Sequence, residues 1–257
     1  MSRSIKRILS IDGGGIKGLF AAAFLAGLEE ILSVDSWRFF DLIVGTSTGG
    51  ILALGMGSGL TAGRIVNFYQ MYGPTIFHRS LKSRILAPLF RSRYDPSTMR
   101  AALQTVFGPS TLEDSRCRLV IPSMNLETGE VHLYKTAHHQ RFQTDYKSSM
   151  VEVALATSAA PTYFPAHRSE TGPPLIDGGL WANNPAGLAV VEAISILGWE
   201  PDSLRLLSVG CPSTPLNVDW GRRHNLGTVY WGWKMLDLFL AGQSSASIGT
   251  AQHLGNL

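Results

Sequence analysis

Residues 41–55 read DLIVGTSTGGILALG, and the fold turns on whether Ser47 at their centre is a nucleophile or one more polar residue in a glycine-rich turn. A nucleophile elbow needs a strand that stops at a sharp turn, a serine in a strained backbone conformation, and residues without bulk two places to either side, so that strand and helix can approach. Gly45 and Gly49 meet the last need, DLIV reads as the strand and GGILAL as the start of the helix. Among 27 glycines a G-x-S-x-G match by itself is a weak signal. The strand–turn–helix context gives it weight.

The same grammar occurs once before. RILSI (7–11) is a short apolar run ended by Asp12, Gly13, Gly14 and Gly15, and LFAAAFLAGLEEIL (19–32) follows with apolar positions at helical spacing. Two such units in series predict a mainly parallel central sheet covered by helices. Downstream, GRIVNFYQMYGPTIF (63–77) reads as helix until Pro74, and CRLVIPSMNLETGEVHLYKT (117–136) as two strands joined around Glu127–Glu130. MVEVALATSAAP (150–161) is a helix stopped by Pro161, PLIDGG (174–179) a strand with a tight turn, and NNPAGLAVVEAISILG (183–198) a helix with Asn184 as its cap and Pro185 in its first turn. LRLLSVG (204–210) supplies another buried strand and VYWGWKMLDLFLAG (229–242) another helix. Residues 79–96, RSLKSRILAPLFRSRYDP, mix bases with large apolar groups and read as a mobile or surface insertion.

At 257 residues, 45% apolar and 16% charged, the chain can bury one large core, so residues 1–257 are expected to form a single domain. A net charge of +3 gives no reason to expect a nucleic-acid polymer as partner. Cys117 and Cys211 are too few for a disulfide framework and lack zinc-site spacing, which points to reduced thiols in a cytoplasmic protein with no metal and no cofactor. The N-terminus has too short an apolar run for a secretory signal, and WKMLDLFLAG, the most span-like stretch, is broken by Lys234 and Asp237.

Two further stretches can share a site with Ser47. In DGGGIKG (12–18), Gly13, Gly15 and Gly18 satisfy a dinucleotide fingerprint, but that reading wants an acid closing the second strand, and there the strand closes in Gly-Thr-Ser-Thr-Gly with Asp41 at its beginning. Three glycines leading into a helix serve equally to aim backbone amides at an anion. In a parallel sheet the ends of RILSI and DLIV lie on one edge, which puts these donors beside Ser47, where an oxyanion would form. In LIDGGLWANNP (175–185), Asp177 ends a strand before Gly178 and Gly179; placed on that same edge it is a carboxylate facing Ser47. Because a carboxylate is a poor base for an alcohol, such a pair needs partial desolvation of the acid and strong oxyanion stabilisation.

Taken in order, DGGGIKG, GTSTGG, ALATSAAPTYF and DGGLWANNP resemble the patatin-like phospholipases. The resemblance implies a three-layer α/β/α patatin-like fold and a Ser–Asp dyad hydrolysing acyl esters of lipids, with Ser47 as nucleophile, Asp177 as base, Gly13, Gly14 and Gly15 as the oxyanion loop, and Gly45, Gly49, Gly178 and Gly179 as supporting glycines. Lys17 stands where the family often has arginine. More narrowly, residues 117–139 and the helix around YWGWKMLDL resemble bacterial patatin-like effectors of anti-phage systems that a cyclic dinucleotide switches on. That implies a cytoplasmic protein, peripheral to the inner membrane when active, with a phospholipid surface and a cyclic dinucleotide as partners; homo-oligomer formation stays open. Such proteins continue past this helix, so a chain shortened at its C-terminus is also implied.

Other readings remain. A Ser–Asp–His order would draw on His224 or His253, with His167 preceding the acid, although none follows a strand and glycine turn. His138 and His139 read as solvated loop residues. Arg79, Lys82, Arg84, Arg91 and Arg93 with Ile85, Leu86, Leu89 and Phe90 can either press onto anionic lipid or form a solvated flap over the core. Tyr230, Trp231 and Trp233 read as core or interface packing in preference to a lipid anchor. A nucleotide-binding module using GGGIKG, and a lipid hydrolase without nucleotide control, are the competing functions.

Overall fold

A computed structural model describes residues 4–78, 92–169, 172–211 and 228–255. Among these, seven strands form one sheet: β1 (Lys6–Ile11), β2 (Leu42–Gly45), β3 (Arg118–Asn125), β4 (Val131–Lys135), β5 (His167–Arg168), β6 (Pro174–Asp177) and β7 (Leu204–Val209). The order is β5-β6-β3-β2-β1-β7, with β4 paired to β3. β7, β1, β2 and β3 are mutually parallel, while β4 and β6 run antiparallel to β3.

Strand residues alternate between two apolar layers, as a sheet covered on both faces requires. Leu9, Ile11, Ile43, Leu119 and Ile121 enter one core with helices α1 (Gly18–Leu32), α3 (Thr48–Gly57), α4 (Ala62–Ile76), α5 (Pro96–Phe107) and α6 (Met150–Thr157). Ile8, Leu42, Val44 and Val120 enter the other, with α8 (Ala186–Val191) and Ala251 of α9 (Thr228–Gly255). Short helices α2 (Ser36–Phe39) and α7 (Gly179–Ala182) complete the α-helices among the described residues. This is the three-layer α/β/α arrangement expected from the sequence.

Three local expectations are corrected. The strand read in DLIV begins only at Leu42; Ser36–Phe39 before it forms a helical turn, and Asp41 is held at the start of β1 by accepting the Arg7 amide at 2.8 Å. The helix expected to stop at Pro74 runs to Ile76, because a proline in the last turn forfeits one amide bond and the Phe77 amide resumes the pattern onto Gly73. The helix expected to have Asn184 as its cap and Pro185 in its first turn begins one residue later, at Ala186, with Pro185 in the cap position and Asn184 Oδ1 accepting the Ala186 amide at 3.0 Å. The insertion read at 79–96 lies largely outside the described residues; of it, Arg93 stacks over the Tyr163 ring with its guanidinium carbon 4.7 Å from the centroid.

One topological feature positions everything that follows. β3 outruns β2, so β2 occupies one edge of β3 as far as Val44↔Val120, and β6 enters antiparallel on the stretch beyond, pairing Ser123 with Asp177. The C-terminal ends of β2 and β6 therefore meet head to head along one neighbour.

The close fit of α3 to this junction makes a specific demand. A Cβ on Gly49 would collide with the carbonyl oxygen of Ile11, and one on Gly45 with that of Gly49. Backbone on both sides cannot yield. Gly49→Ala is expected to lower stability by about 3 kcal/mol in urea unfolding, whereas Gly27→Ala, whose Cβ meets nothing within 4 Å in the middle of α1, should raise it by roughly 0.5–1 kcal/mol.

Candidate active site

Ser47 sits between β2 and α3 at φ 56°, ψ −122°, one of three non-glycine residues with positive φ among the described residues. Such backbone costs on the order of 1–3 kcal/mol and persists only where the surroundings over-determine it. Here they do. The Ser47 amide donates to Thr157 Oγ1 at 3.0 Å, and that hydroxyl donates to the Pro122 carbonyl at 2.6 Å, tying the elbow to α6 and β3. Thr46 Oγ1 donates to the Ala182 carbonyl at 2.6 Å, tying it to α7. Ser47 itself is 8% exposed and starts a ten-residue helix whose first-turn amides give the site a partial positive charge.

Ser47 Oγ donates to Asp177 Oδ2 at 2.6 Å. The other carboxylate oxygen, Oδ1, accepts the Gly179 amide at 2.7 Å. Burial pushes Asp177 up to about 6, against the opposing pull of these two hydrogen bonds. The sequence placed Asp177 on the shared C-terminal edge of parallel strands. It reaches Ser47 instead from an antiparallel strand pointing the opposite way, which brings the two residues nose to nose. Gly178 permits the approach, since a Cβ there would strike the Pro122 carbonyl.

The glycine loop lies against the same serine. A Cβ on Gly13 would come 3.2 Å from Ser47 Cβ and 2.5 Å from Asn183 Oδ1. Its three amides are not equivalent. Gly13 N–H donates to the Asn183 carbonyl at 2.9 Å, Gly14 N–H to Thr48 Oγ1 at 3.1 Å, and Gly15, at φ +58°, has an amide with no hydrogen-bond partner among the described residues. Lys17 ends the short 3-10 turn after the loop and is exposed.

Thr157, Thr46 and Asn183 were not singled out as site residues in the sequence. Thr157 lies in ALATSAAPTYF, so a signal existed, but a threonine inside an apolar helix does not announce that its hydroxyl serves a backbone amide 110 positions away. Among the described residues no histidine bonds to Ser47 or Asp177. His167 Nε2 lies 2.8 Å from Glu152, and His253 is on the last turn of α9; His224 lies outside the described residues. His138, read as solvated, is buried: its Nε2 is 3.0 Å from Glu192, which also pairs with Lys135 Nζ at 2.6 Å. A buried histidine on a carboxylate at the far end of β4 is a packing element, remote in connectivity from Ser47. The side chains of Tyr230, Trp231 and Trp233 lie outside the described residues.

The site thus sets a strained serine on a strand–helix elbow, bonded to a buried carboxylate, beside a glycine loop. The patatin-like phospholipase family model matches residues 9–190, and the chain belongs to that family. It is 36% identical to a cGAMP-activated phospholipase of Pseudomonas aeruginosa over 97% of this chain and 75% of that protein. A second cGAMP-activated phospholipase, of Vibrio cholerae, is 36% identical over 79% of this chain and 63% of that protein. Among solved structures, VipD from Legionella pneumophila aligns over 93% of this chain and 67% of that one, at 13% identity and a TM-score of 0.48.

One buried acid beside the loop is not explained by the Ser47–Asp177 pair. Asp12 is 8% exposed, its Oδ1 has no hydrogen-bond partner among the described residues, and burial pushes it up from 3.8 to about 7. The folded protein thus holds a proton that the unfolded chain releases. This favours folding fully below pH about 4, and the benefit disappears as pH rises through 7. Asp177 contributes with the same sign, but only up to about 6. Asp12→Asn is expected to shrink the fall in melting temperature between pH 6 and pH 8; an unchanged fall would show that Asp12 does not carry it.

Proposed function

We propose that this chain is a serine acyl hydrolase that cleaves fatty-acyl esters of membrane phospholipids, with Ser47 as nucleophile and Asp177 as general base. The observation that carries the reading is the 2.6 Å bond from Ser47 Oγ to a buried Asp177 carboxylate, made by a serine held at positive φ. In the acylation step the Ser47 hydroxyl proton passes to Asp177 Oδ2 as Oγ bonds to the ester carbon. The tetrahedral oxyanion then collapses, and the departing lysolipid alkoxide takes the proton from Asp177. In deacylation Asp177 accepts a proton from water as its oxygen attacks the acyl-serine; the tetrahedral intermediate then collapses, Ser47 Oγ takes that proton back from Asp177 as it leaves, and the fatty acid is released.

The state of the three glycine amides refines the expected oxyanion loop. Gly13 has its amide committed to a backbone carbonyl and packs on Ser47, so its part is close approach. Gly15, whose amide has no partner among the described residues, and Gly14, whose amide is paired to a threonine hydroxyl and not to backbone, are the donors we assign to the oxyanion. Each such donor is commonly worth about 3 kcal/mol of barrier. Lys17, exposed just beyond the loop, suits an anionic headgroup.

We further propose that a cyclic dinucleotide activates the enzyme, that it acts as an anti-phage effector degrading the host's own membrane, and that it is cytoplasmic and peripheral to the inner membrane when active. The two cGAMP-activated relatives support this reading. No helix among the described residues is long and apolar enough to cross a membrane, which is consistent with attack from the surface.

Fatty-acid release from mixed phospholipid liposomes, with and without cGAMP, tests the proposal. Wild type should release fatty acid, more so with the nucleotide, and Ser47→Ala and Asp177→Asn should each lose about a thousandfold or more. Retention of activity by Asp177→Asn would sink the dyad. The pH profile of kcat/KM on a soluble ester should rise to a plateau with its midpoint at about 6, because the base must be ionised and burial sets where that happens.

A further inference from the structure

Helix α9 stands well apart from the site in sequence, yet one of its side chains bonds to the segment that carries the acid. Gln243 Oε1 accepts the Asn183 amide at 2.6 Å and Gln243 Nε2 donates to the Leu180 carbonyl at 3.1 Å. α7 between them is four residues long and follows directly on Asp177–Gly178, so it cannot hold a position by its own hydrogen bonding. At its end the Asn183 carbonyl takes the Gly13 amide at 2.9 Å and the Ala182 carbonyl takes Thr46 Oγ1 at 2.6 Å. The carboxylate arm, the glycine loop and the serine elbow therefore converge on residues 180–183, and a single carboxamide grips that segment at two points.

We infer that Gln243 is a positioning residue for this site: it sets the placement of Asp177 and of the glycine loop relative to Ser47. The inference rests on the hydrolase reading above. A carboxamide is suited to the task because it presents a donor and an acceptor side by side, matching a free amide and a free carbonyl at the end of a short helix. Loss of either grip lets α7 shift, and a shift of about 1 Å between reacting groups costs up to about a hundredfold in rate. Four residues on along the same face of α9, Ser247 Oγ accepts the Gly187 amide at 2.9 Å. That contact docks α9 onto α8 without touching residues 177–183, so it separates helix docking from site positioning.

The experiment compares wild type, Gln243→Ala, Gln243→Glu and Ser247→Ala on a soluble short-chain ester, with the rate of Ser47 labelling by a fluorophosphonate and the melting temperature recorded for each. Gln243→Ala should lose about ten- to a hundredfold in kcat with KM within about twofold, and labelling should slow in parallel. Gln243→Glu, isosteric and able to keep the Asn183 bond but not the Leu180 one at neutral pH, should fall between and recover part of its deficit relative to wild type as the pH drops and the side chain protonates. Ser247→Ala should lower the melting temperature while leaving kcat within about twofold. The inference is overturned if Gln243→Ala keeps wild-type kcat, or if its kcat loss is matched by Ser247→Ala at equal loss of stability. Should Gln243→Ala not fold, an unchanged kcat in Gln243→Glu overturns it equally. A wild type that neither hydrolyses ester nor labels at Ser47, with and without cGAMP, brings down the hydrolase reading, and the inference with it.

Discussion

The site exists because β3 is longer than β2. Where β2 stops at Gly45, the freed edge of β3 is taken by β6 running the other way, and two strand ends are forced into contact with no loop between them. Strand ends in a pleated sheet are fixed by ladder hydrogen bonds, and β2 and β6 share the neighbour β3, so β3 sets the separation between the Ser47 elbow and Asp177. The glycines follow from the same constraint. Gly45, Gly49 and Gly178 each lie where a methyl group would strike a backbone carbonyl, and no side-chain repacking relieves that.

The local demands of this arrangement were legible in the sequence and the non-local ones were not. Gly45, Ser47 and Gly49 announce an elbow because strand, turn and helix are contiguous. Asp177 was legible as an acid at a strand end, yet the direction of its strand was not, since antiparallel entry on the spare edge of β3 depends on how far β2 extends relative to a partner more than 70 residues away. Thr157, Asn183 and Gln243 left no trace in periodicity or composition, because each acts through hydrogen bonds to backbone remote in sequence. His138 misled for the mirror reason: TAHHQRF looks solvated until Glu192, from a helix 54 residues on, is brought beside it.

The support for the serine comes almost entirely from backbone and hydroxyl groups. Thr157 holds the Ser47 amide, Thr46 the Ala182 carbonyl, and Thr48 the Gly14 amide. Neutral hydrogen bonds of this kind fix geometry without adding a charge that would compete with the one generated in the reaction. The proposed reaction, which uses no imidazole, depends on this restraint, since any fixed negative charge nearby would weaken the oxyanion and any fixed positive charge would make Asp177 a poorer base.

Asp12 is where that restraint is under strain, and its environment resolves it. Two carboxyls are buried on the elements that build the site, and both ionised would oppose the oxyanion. They differ in their donors: Asp177 accepts from the Ser47 hydroxyl and the Gly179 amide, whereas Asp12 Oδ1 accepts from nothing among the described residues. Hydrogen bonds to the charged form favour ionisation and bare burial opposes it, so Asp177 gives up its proton first, near 6, and Asp12 near 7. In the proposed reaction this difference would let Asp177 act as the base at a pH between about 6 and 7, where Asp12 at the head of the glycine loop keeps more of its proton. Burial raises both acids, and the donors that Asp177 has and Asp12 Oδ1 lacks account for the direction of the difference between them.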